Sequence, residues 1–80
     1  MKHEIAKPLF YDESLVPAFI RKIPINFEPI YMNQMVKRID YDIQMYRKLG
    51  DGYCSREQHE HNVCTMYWLK THDYAGITIS

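Results

Sequence analysis

The densest run of side chains that could bind a metal or act as nucleophiles passes through Cys54, His59, His61 and Cys64, with His72 downstream, in a chain of 80 residues. Zinc needs ligands converging on one point at about 2.0 to 2.3 Å. On a helix, His61 and Cys64 at i, i+3 would supply two of them from one face. The remainder fits badly, because His59 and His61 are two apart and diverge, and the spacing matches neither a C-x-x-C ribbon nor an H-x-x-x-H finger. Cys54, His61 and Cys64 are therefore weak metal candidates, set against a solvated helix start and a Cys64 that packs as a small hydrophobe. No metal and no cofactor is expected.

Catalysis has still less material. His59-Glu60-His61 lacks the four-residue separation that lets two histidines on one helix hold a metal with a glutamate as base. Cys54 near His59 and Glu57 is the best nucleophile candidate, but with three glycines the chain has little from which to build a cleft and oxyanion donors. There is no glycine-rich phosphate loop. The chain is read as not an enzyme.

For nucleic acid the pertinent residues are Lys37, Tyr41, Gln44 and Lys48, near one side of a helix, where lysines meet phosphates and a tyrosine stacks on an unpaired base. Asp40 and Asp42 interrupt that field. Ten basic residues balance ten acidic ones, so no single-sign charge is present to drive non-specific binding. A nucleic-acid-binding or transcription-regulating protein is the second reading, and a zinc-stabilised adaptor the third.

The elements that must position these residues are helical. Pro8, Pro17 and Pro24 limit anything regular in the first 27 residues to short pieces. Ser14 serves as N-cap for a short helix over 15–22, stopped by Pro24. Glu28-Pro29 opens a long helix over 29–48, closed by Gly50 after Arg47-Lys48. Its Met32, Val36, Ile39, Ile43 and Tyr46 step by four, three, four and three, a heptad-like seam compatible with self-association. Ser55-Arg56-Glu57-Gln58 has capping-box form and starts a third helix over 56–71, whose apolar second half makes it the central or partner-covered one. The expected fold is mainly α, a three-helix compact domain spanning 1–80. An α+β variant adds a small terminal two-stranded ribbon of 3–6 with 76–80.

The longest apolar runs, 15–20 and 66–69, are far short of the ~20 residues of a membrane span. No apolar stretch follows Lys2 as a signal sequence would require, so a cytoplasmic location and no membrane partner are expected. Two cysteines are too few for a disulfide framework.

What stands out is bulk. Seven Tyr, three Phe, one Trp and five Met share a small globule with sixteen Ile, Leu and Val, more than such a core hides. Tyrosine and methionine suit protein interfaces, the first through rigid contact area with a polar tip, the second through adaptability. The expected partner-binding surface is Tyr31, Met35, Tyr41 and Met45 on the long helix, with Tyr53, Tyr67, Trp68 and Tyr74 around the third. Arg38, Arg47 and Lys48 set register at its rim, with Asp42. The leading functional expectation is a small intracellular protein-protein interaction module. By its size and lack of chemistry it would act as a phage-type inhibitor that occludes a larger host defence or transcription complex. Its partner is another protein, with a homodimer or larger homo-oligomer compatible.

Overall fold

The prolines divide the first third of the chain, and the computed structural model, which describes residues 7–72, follows those divisions. The Asp12 carboxylate accepts from the Ser14 backbone N–H at 2.9 Å and from its hydroxyl at 2.8 Å, closing a 3-10 turn over Glu13–Leu15. Both bonds favour the charged form, the backbone one more, and hold the carboxyl below its ordinary pKa. Helix α1 is a single turn, Ala18–Arg21. The helix expected over 15–22 is shortened because Val16 is extended at φ −80° and ψ 124°. The ring of Pro17 disfavours the α conformation in the residue before it. Asp12, not Ser14, therefore does the capping, one turn earlier.

Helix α2, Pro29–Leu49, begins with proline at its first position and carries Arg47 and Lys48 in its last turn, where the dipole favours cations. It ends at Gly50, whose φ of 64° and ψ of −144° belong to a region that side chains rarely enter. A 3-10 turn over Gly50–Gly52 leads to helix α3, Arg56–Thr71. The Ser55 hydroxyl accepts from the Gln58 N–H at 3.1 Å, as its spacing suggests. The reciprocal arm of the capping box is replaced, since the Gln58 amide donates forward to Asn62 at 3.1 Å. The described residues are mainly helical and contain no strand. The terminal ribbon of 3–6 with 76–80 lies outside them.

Helices α2 and α3 form an αα-hairpin along the seam. Met32 and Ile43 are buried, and Val36, Ile39 and Tyr46 half-buried, so the heptad-like stripe is occupied within the chain by α3. Two tyrosines clip the hairpin's turn. Tyr53 donates to Asp42 at 2.7 Å and Tyr46 to Asp51 at 3.1 Å. The first bond is the main cause of a raised Tyr53 pKa, and burial is the main cause for Tyr46.

Cys64, Thr65 and Met66 are buried in succession, as is Leu69. At 3.6 residues per turn, three consecutive buried positions mean that α3 is covered on more than one side. One cover is α2. Another is the N-terminal segment, from which Val16 and Ile20 join Met32, Cys64 and Leu69 in the core cluster. Tyr11 meets Tyr67 edge-on at 4.8 Å, and the Leu15 carbonyl accepts from His61 Nδ1 at 2.9 Å. No described helix is long and apolar enough to cross a membrane.

Candidate interaction surface

The turn positions of α2 decide which of its side chains face outward. With Met32 and Ile43 fixed inward, residues 30, 34, 37, 41, 44 and 48 fall on the opposite side, and all six are exposed. Tyr41 stands in the middle of that face, 56% exposed. Lys37 and Lys48 stand to either side of it along the helix. Tyr31, at the N-terminal end, is equally exposed and lies edge-on to Phe27 with ring centroids 5.6 Å apart. Arg38 pairs with Asp42 at 3.6 Å, and Arg47 is exposed beside Lys48. Met35 and Met45 are half-buried, and Met35 packs against the core.

The α3 half of the expected surface is used differently. Tyr67 is half-buried against Tyr11. Trp68 packs on the core cluster and stacks on His72 at 3.6 Å, while the His72 Nδ1 donates to the Trp68 carbonyl at 2.8 Å. The Trp68 indole N–H is buried without an acceptor among the described residues. Tyr53 is half-buried and turned to Asp42. These three side chains hold the hairpin and the N-terminal segment together, and Tyr74 lies outside the described residues.

In place of the α3 residues, α1, the connection after it and the first turn of α2 carry a run of exposed large apolar groups. Phe19 and Ile30 are 67% exposed, Ile25 60% and Phe27 36%, which with Tyr31 places five large apolar side chains in thirteen residues. Of these five only Tyr31 belongs to the surface expected from sequence, and Phe19 falls within the short helix expected over 15–22. In fact its neighbour Ile20 takes the inward position. The available signal was Pro24 and Pro29 bracketing Ile25 and Phe27, a loop composition with apolar residues where polar ones are usual.

The cysteine and histidine cluster is dispersed into structural roles. His61 bonds the Leu15 carbonyl, and Cys64 is buried with its sulfur 3.9 Å from the Phe10 carbonyl. His59 lies flat on Tyr46 at 4.0 Å with its Nδ1 buried and unpaired. Burial foremost, then Arg47 and Arg56, lowers the His59 pKa, with Glu60 opposing. Cys54 is half-buried and free. Among the described residues no three of His, Cys, Asp and Glu stand close enough to share a metal ion.

Comparison with protein-family models, with curated proteins and with solved structures finds no match for the chain.

Proposed function

We propose that this chain is a protein-protein interaction module of the cell interior, working without catalysis. Its contact surface is the α1–α2 connection and the outer face of α2. The observation that carries the reading is the concentration of exposed apolar side chains at 19–31 with Tyr41 beyond them. Scattered surface hydrophobics are ordinary, but a run of them rimmed by charge marks a contact site. Phe27, Tyr31 and Tyr41 act as anchors, and Arg38, Arg47 and Lys48 set the register at the edge. A chain of this size acts by covering a surface of a larger assembly, the occluding role expected of a small inhibitor.

A photoreactive phenylalanine analogue at Phe27, and separately at Tyr41, tests the reading in the native cell. A discrete cross-linked protein product is expected at each position, and no product at either overturns it. A second reading is favoured by one observation. Lys37, Tyr41, Gln44 and Lys48 are all exposed on one side of α2, and neither lysine is ion-paired among the described residues. That arrangement suits single-stranded nucleic acid. A salt series separates the two, because phosphate contacts weaken steeply with added salt and an aromatic interface does not.

A further inference from the structure

Tyr46 makes two commitments at the closed end of the hairpin. Its hydroxyl donates to Asp51 on the 3-10 turn at 3.1 Å, and its ring carries the His59 imidazole, with centroids 4.0 Å apart and planes 12° from parallel. The last turn of α2, the connection and the first turn of α3 thus meet on one side chain.

The stack suits a neutral ring. His59 Nδ1 is buried and has no hydrogen-bond partner among the described residues. A neutral imidazole leaves that nitrogen bare by keeping its proton on Nε2, whereas an imidazolium carries an N–H on both nitrogens. Taking up a proton therefore creates a buried donor without an acceptor, which is destabilising. The surroundings add to this. Arg47 of α2 and Arg56 of α3 both act against a positive ring, and the first turn of α3 is the positive end of that helix's dipole. Glu60 favours the cation but is paired with Arg56 at 3.5 Å, and Asp51 is held by the Tyr46 hydroxyl. The face of Tyr46 also attracts a cation, an effect weaker than that of an orphaned buried donor.

We propose that His59 and Tyr46 form an acid-sensitive clasp: protonation of the imidazole releases the first turn of α3 from the end of α2 while the rest of the fold holds. A proton binds the open form more tightly than the closed one, so the open population grows as pH falls below about 6.5, the ordinary histidine value. The other two described histidines do not respond in this way. His61 and His72 each give an Nδ1 proton to a backbone carbonyl, of Leu15 and of Trp68, and that nitrogen stays a donor when the ring is charged. The N-terminal segment and the core cluster around Cys64 therefore stay in place. The clasp sits at the far end of α2 from Ile30 and Tyr31 and is independent of the interaction reading.

The chain carries two thiols that report on it. Cys54, two residues before α3, is half-buried, and Cys64 lies in the core. Their reaction with dithiodipyridine is followed by mass spectrometry at about pH 7.5 and about pH 5, on either side of the histidine range, and scaled to a free cysteine peptide at the same pH. Cys54 is expected to become severalfold more reactive in acid while Cys64 stays protected. His59→Phe, which keeps a flat ring on Tyr46 and takes no proton, should abolish the change. Proton magnetic resonance of the natural chain needs no variant, and should give His59 a midpoint below 6.5, with the Tyr46 ring signals moving along with it. A midpoint at or above 6.5, a Cys54 that does not respond, Cys64 opening together with Cys54, or an acid response undiminished in His59→Phe overturns the clasp.

Discussion

At the scale of single residues, several polar side chains among the described residues hold short elements in place. Ser55 is the clearest case, since its hydroxyl satisfies one of the N–H groups that a helix start leaves open. Ser55→Ala is expected to cost about 1 kcal/mol of stability, read from urea unfolding. His59 makes stability depend on pH. Its folded pKa lies below the ordinary 6.5, so the unfolded chain takes up the proton first as pH falls. Its contribution is therefore complete above about pH 6.5 and is lost as pH drops through the folded value. Unfolding curves between pH 7.5 and 5 are expected to show declining stability, with a shallower decline in His59→Gln. An equal slope in the two proteins would mean that the ring on Tyr46 takes its proton as freely folded as unfolded.

At the scale of elements, the α2–α3 hairpin is the part that sequence reading reaches best. Proline at the start of α2, Gly50 at its end and Ser55 before α3 are each local signals with a local cause, and the stripe through Met32 and Ile43 is inward as its period requires. What sequence could not say is what fills the other side of α3. That depends on the return of the N-terminal segment, with Tyr11 meeting Tyr67 across 56 positions of chain, and no local pattern encodes such a pairing. For the same reason the packing of Trp68 on the core cluster and the outward position of Phe19 have no local signal. The contrast between the two sets can be measured. Leu69→Ala, in the fully buried cluster, is expected to cost about 2 to 5 kcal/mol. Ile30→Ser, on the open side of α2, should leave stability within about 0.5 kcal/mol.

At the scale of the whole molecule, the chain folds a core of modest size and leaves a comparable weight of apolar side chains outside it. Val16, Ile20, Met32, Cys64 and Leu69 are buried, while Phe19, Ile25, Phe27, Ile30 and Tyr31, from α1 to the first turn of α2, remain in water. This imbalance, in a chain with no net charge, is the physical basis for reading it as a partner-seeking protein. Nuclear magnetic resonance of the dilute chain with a soluble paramagnetic probe tests that imbalance most directly. Signals of Phe19, Ile25, Phe27, Ile30 and Tyr31 are expected to relax strongly, while those of Val16, Met32 and Leu69 stay protected. Protection of the first group equal to that of the second, in a sample that is still one chain, would contradict it.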